Sequence, residues 1–167
     1  PIHAFLLPLL LASQALPIFV IAPLLVLWFG YGITAKILTT TFMLFFPVAN
    51  NFLDGLKQTP ENYLNLAHIM NSSRWQTLYQ IRIPAALPNL ASGIRIATAM
   101  APLGAIIGEW VGSSQGLGFL LLNANAQMQT GLMFAILAVI FFFSIFIYFL
   151  IDKLLCLGMP WTLLKSH

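Results

Sequence analysis

Few residues in this chain could carry chemistry. Among 167 residues there are seven Lys and Arg, four Asp and Glu, three His and one Cys. Cys156 has no second cysteine to meet, which excludes an internal disulfide and a cysteine-based metal cluster. In its apolar context it reads as a small hydrophobe. His3 and His68 have no Cys, His or Asp at ligand spacing, so no metal site is expected. Ser113 and Ser114 lack the His and acid partners of a hydrolase. There is no GxxxxGK[ST] phosphate loop, and the Gly116-Leu117-Gly118 turn has no basic residue beside it. No catalytic residue and no cofactor follow from these residues. What remains is Arg95, Glu109 and Trp110, set within one long apolar run.

The composition explains why. Sixty per cent of the residues are hydrophobic and 7% are charged, against about 25% charged in soluble domains. Such a chain belongs in a bilayer. Seven positive charges spread over this length make no nucleic-acid-binding stripe. A hydrocarbon core of about 30 Å needs about 20 helical residues. Residues 33–53, 86–110 and 131–151 meet that length, with Pro47 and Pro102 as kinks inside the first two. Residues 17–30 are marginal, and residues 4–12 are short. The chain begins at Pro1 with no basic region before its first apolar run, so neither a signal peptide nor a natural start is read there; the expectation is an N-terminally truncated protein.

Basic residues set the expected orientation. Lys57, Arg74 and Arg82 fall between the spans ending near 53 and starting near 86, and Lys153 and Lys165 follow the last span. The 111–130 connection has none. This places the 54–85 loop and the C-terminus in the cytoplasm, with Lys36 as the exception. Arg95 lies about 16 Å along its helix from Pro84. It either snorkels to the cytoplasmic surface or faces the bundle interior. Glu109, fourteen residues on, shares its face after nearly four turns. Arg95, Glu109 and Trp110 are therefore candidate pathway-lining residues, and an ordinary interfacial Glu–Trp pair is the plainer alternative.

The 54–85 loop is the most informative segment. Thr59, Pro60 and Glu61 open a helix in the expected order of cap, first-turn proline and acid. Tyr63, Leu66, Ala67 and Met70 fall on one apolar face. Asn71 suits the left-handed residue that ends a helix. Ser73 and Gln76 form a capping-box pattern that restarts one, and Pro84 and Pro88 mark re-entry into the membrane. The pair could lie on lipid headgroups. The 60–73 helix carries no Lys or Arg, which favours a protein partner instead.

The spacing in this loop resembles the EAA loop of binding-protein-dependent ABC importer permeases. Asn65-Leu66-Ala67, three residues, Asn71, nine residues and Ile81-Arg82-Ile83-Pro84 keep that register, with Asn65 for Glu, Leu66 for Ala and Asn71 for Gly. Asn71 retains the turn capability; Asn65 lacks the carboxylate that could pair with the ATPase. The stretches LPIFVIAPLLVLWFGYG, GEWVGSSQGLGFLL and NANAQMQTGLMFAIL are similar to the subgroup serving nitrate, sulfonate, taurine and thiamine-precursor pyrimidines. The last is closest to hydroxymethylpyrimidine permeases.

The resemblance implies an all-α, polytopic transmembrane bundle of the ABC type I importer kind, with residues 1–167 as part of its transmembrane domain. It implies an inner-membrane transport subunit rather than an enzyme, working with ATP-binding cassette ATPase subunits, an extracytoplasmic substrate-binding protein, a second permease copy in a homodimer, and the surrounding bilayer. The coupling residues it implies are Tyr63, Asn65, Leu66, Ala67, Met70, Asn71, Ile81 and Pro84. The alternative is a fragment of an ion-coupled secondary transporter, which would place paired ionisable groups near the midplane; the sequence offers Arg95 alone.

Overall fold

The computed structural model describes residues 18–159; the 4–12 run and Lys165 lie outside them. The described chain is helical throughout, in the order α1 (Ile18–Phe29), α2 (Ile33–Lys57), α3 (Glu61–Ile69), α4 (Arg74–Thr77), a π-helical turn (Leu78–Arg82), α5 (Ile83–Gly112), α6 (Leu117–Ala126) and α7 (Thr130–Gly158). Three stretches are long and apolar enough to cross a membrane: α2, the continuous helix Arg74–Gly112, and α7. α1 and α6 are apolar but shorter.

Two expectations about boundaries change. The helix of the span expected from residue 86 begins earlier and runs unbroken through both Pro84 and Pro88. The π turn directly before Pro84 is the reason. Ile83 donates its N–H to the Leu78 carbonyl, five residues back. Such a widened turn loosens the i to i−4 ladder at the place where proline removes a donor and crowds a carbonyl. The spans also run past their expected ends, to Lys57 in α2 and to Gly158 in α7. A hydropathy window stops at the first charge, whereas a helix stops when its backbone loses partners.

The contacts divide the chain into two compact units. One holds the described residues through Phe46 together with Thr98–Ile147. In it, α5 presents Gly104, Gly108 and Gly112 four residues apart. A Cβ at Gly108 would stand 3.2 Å from the Lys36 Cα, so glycine lets the backbones of α2 and α5 meet. Small residues at four-residue spacing are the usual means of close helix contact in membranes. Phe134, Phe141, Phe142 and Phe146 of α7 are 60–72% exposed, a face suited to lipid.

The other unit holds Pro47–Ala97 with the described residues from Tyr148. It contains the loop helices and both ion pairs of the described residues, Lys57–Asp54 at 3.4 Å and Arg95–Asp152 at 2.6 Å. Here too α2 and α5 approach at a glycine: a Cβ on Gly93 would lie 3.0 Å from the Val48 Cα.

Candidate functional site

The loop is held by local chemistry, partly as expected. Asn71 adopts φ 52°, the left-handed conformation. Its N–H donates to the His68 carbonyl at 3.1 Å, and the Ser72 N–H donates to the Ala67 carbonyl at 3.0 Å. Those two bonds make a Schellman turn, which satisfies the last carbonyls of α3. Ser73 and Gln76 form the expected capping box: the Ser73 N–H donates to Gln76 Oε1 at 2.9 Å, and Ser73 Oγ accepts from the Gln76 N–H at 3.3 Å. Thr59 does not cap α3. Its hydroxyl donates back to the Leu56 carbonyl at 3.1 Å, and Pro60 takes the N-cap place without a side-chain bond. A threonine so near the end of α2 finds that carbonyl before it can reach forward.

The apolar face of α3 is split. Ala67 is 3% exposed, whereas Tyr63, Leu66 and Met70 are 49–68% exposed. α3 packs against the π turn, and Ala67 lies on the buried side. Ile69, outside the expected set, is also exposed. Asn65 and Pro84 are exposed and Ile81 is half-buried. A cleft of about 820 Å³ opens within the loop, bordered by Ala67, His68, Asn71, Arg74, Leu78 and Arg82. On the far side of the second loop helix, Trp75 and Tyr79 stack with ring centroids 6.2 Å apart.

Arg95 belongs to this same unit. Its Nε donates to Asp152 Oδ1 at 2.6 Å, and a terminal nitrogen reaches Cys156 Sγ at 3.9 Å. Asp152 escapes a reading of hydropathy because it sits one residue beyond the apolar run; within α7 it is an ordinary helical position. Arg95 therefore has an ionisable partner, which corrects the expectation that it stands alone.

Glu109 and Trp110 lie in the other unit, and both are bound to the turn that opens α6. The Gly118 N–H donates to Glu109 Oε2 at 2.6 Å, and Trp110 Nε1 donates to the Gly118 carbonyl at 3.0 Å. A carboxylate at the second residue of a helix satisfies a free N–H and complements the positive end of the helix. Gly116, at φ 122°, makes the chain turn there; a Cβ at that place would collide with the Glu109 carboxylate. Trp110 also packs its ring near Phe19, with centroids 6.1 Å apart. Lys36 Nζ donates to Ser113 Oγ at 2.7 Å, and Ser113 Oγ bonds in turn to the Gln115 carbonyl. A shallow groove of about 260 Å³ lies beside these residues, bordered by Lys36, Ile37, Thr41, Leu44, Ala105 and Glu109.

Residues 1–155 match the family described as the binding-protein-dependent transport system inner membrane component. Over 154 residues, 92% of this chain, it is 54% identical to a probable ABC transporter permease protein of Haemophilus influenzae. Over the same length it is 38% identical to a formylaminopyrimidine transport permease of Halalkalibacterium halodurans and 37% identical to a riboflavin transport system permease of Chloroflexus aurantiacus. The matches cover 63%, 62% and 58% of those three proteins, so the chain spans about three-fifths of their length. The three apolar spans and the family match together identify a membrane protein, and the chain belongs to the family of binding-protein-dependent transport system inner membrane components.

Proposed function

We propose that this chain forms part of the translocation path of an ATP-driven importer for a small solute. The loop through residues 59–84, inside a cytoplasmic segment of about 54–85, couples the path to ATPase subunits. The single observation that supports coupling most strongly is α3. A nine-residue helix closed at its C-terminal end by the Asn71 turn leaves Tyr63, Leu66, Ile69 and Met70 exposed, and no Lys or Arg accompanies them on the helix. An apolar face without cations suits a protein groove better than anionic headgroups. Asn65, Asn71, Ile81 and Pro84 then shape the loop, and Ala67 holds α3 to it. ATP hydrolysis belongs to a separate chain, an extracytoplasmic binding protein delivers the solute, and a second copy of the permease completes the path. The C-terminus shares the cytoplasmic side with the loop.

A thiamine-precursor pyrimidine is the favoured solute, supported by the formylaminopyrimidine relative. Sulfonate, taurine and nitrate are the other candidates. Of the three pathway candidates, Glu109 keeps that role because it borders the groove. Arg95 is engaged by Asp152, and Trp110 by Gly118.

The test uses the full-length subunit with its ATPase and binding protein in proteoliposomes. Leu66→Asp or Met70→Asp is expected to abolish coupled uptake while the complex remains folded in detergent. Ala67 is the wrong place for this test, because a bulky group there would distort the loop itself. Uptake and ATP hydrolysis unaffected by both exposed substitutions would sink the coupling role.

A further inference from the structure

We infer that the groove beside Lys36, Thr41 and Glu109 contacts the transported solute, and that it selects a neutral, single-ring nitrogen heterocycle over a sulfonate. This rests on the permease reading above. Lys36, Ile37, Thr41 and Leu44 lie along one side of α2, and Ala105 and Glu109 face them from α5. Polar and charged groups within apolar spans are costly against lipid and turn to protein or water instead. Each polar group here has hydrogen-bonding capacity left over. The Lys36 ammonium has three donors and gives one to Ser113; Glu109 has about four acceptor sites and gives one to Gly118. Thr41 is an exposed residue, and its hydroxyl makes no side-chain hydrogen bond among the described residues.

The groove's charges decide the class of ligand. Lys36 and Glu109 do not pair, since the ion pairs of the described residues are Lys57–Asp54 and Arg95–Asp152. One cation and one anion border the same small space, so it has no net charge to draw in an anion, and a sulfonate beside Glu109 would be repelled. A ring with amino donors and ring-nitrogen acceptors matches both ends, while Ile37, Leu44 and Ala105 supply apolar contact for its faces. A volume of about 260 Å³ falls below the ~300–1,000 Å³ typical of sites for drug-sized ligands. That size suits one ring.

The experiment uses the full-length subunit made cysteine-free, including Cys156→Ser, and assembled with its ATPase and binding protein in proteoliposomes. Thr41→Cys, and separately Ile37→Cys, should react with a water-soluble methanethiosulfonate reagent. Phe142→Cys on α7 should react only with a membrane-permeant maleimide. During turnover, a 4-aminopyrimidine solute should slow labelling at position 41, and an alkanesulfonate without an amino group should not. Thr41→Val should lower pyrimidine uptake about three- to tenfold, as loss of one hydrogen bond does, with ATP hydrolysis stimulated by the binding protein retained. In an assembled, active complex, labelling from the lipid phase alone would overturn the inference. So would disulfide cross-linking of two copies through position 41, equal protection by the alkanesulfonate, or uptake of the alkanesulfonate in place of the pyrimidine. If the wild-type subunit failed to assemble with an ATPase, the permease reading would fall first and this inference with it.

Discussion

Arg95 Nε meets Asp152 Oδ1 at 2.6 Å, tying α5 to α7 within one unit, with both side chains about one-third exposed. A charge in an apolar helix is retained when it is paired, and removing one partner leaves the other stranded. Arg95→Met and Asp152→Asn should each destabilise the protein by about 1–3 kcal/mol. The double variant Arg95→Met/Asp152→Asn should cost less than their sum. Unfolding in detergent across this double-mutant cycle measures the coupling, and strict additivity would show that the pair is not energetically linked.

Asn71 and Met128 both sit at positive φ, 52° and 57°, and each ends a helix through a Schellman turn. Left-handed conformation costs about 1–2 kcal/mol for a residue with a Cβ, and less for Asn. Met128→Gly should therefore stabilise the chain by about 1 kcal/mol. Asn71→Gly should be near neutral, and Asn71→Val should loosen the loop by about 1–2 kcal/mol. Limited proteolysis of the loop and thermal unfolding would register these differences.

Gly108 faces the Lys36 backbone with 3.2 Å available for a Cβ. Gly108→Leu should force α2 and α5 apart and destabilise the fold by about 1–3 kcal/mol. Gly131, with nothing within 4 Å of a built Cβ, should accept Ala without loss. Melting temperatures of the two variants in the same detergent provide the comparison.

Glu109 accepts the Gly118 N–H at the opening of α6. Glu109→Ala should cost about 0.5–2 kcal/mol, the range for losing a helix cap. Glu109→Gln keeps an acceptor and should recover much of that loss. Equal destabilisation by both would mean that charge, rather than the hydrogen bond, holds the turn.

Features set by near neighbours along the chain are legible in the residues alone. The left-handed turn at Asn71, the Ser73–Gln76 capping box and the three spans all depend on groups within a few positions of one another. The cap expected at Thr59 fails because two local acceptor–donor choices compete there, and the carbonyl of Leu56 wins. That the helix runs unbroken through Pro84 is not legible in the residues, because a π turn accommodates the proline, an adjustment that a list of helix breakers does not contain. The four-residue spacing of Gly104, Gly108 and Gly112 is a local pattern too, but only the approach of α2 shows which backbone it admits.

By itself the sequence determined that this is an all-helical membrane chain with a structured polar loop, because hydropathy and capping act along the chain. Partner choice was decided only by tertiary structure. Asp152 beside Arg95, Ser113 beside Lys36 and Gly118 beside Glu109 are 57, 77 and 9 residues apart. The burial of Ala67 next to exposed Leu66 likewise depends on which side of α3 meets the π turn. A charge in an apolar helix must find a partner, but which one depends on how the helices pack, and no periodicity along a single helix records that.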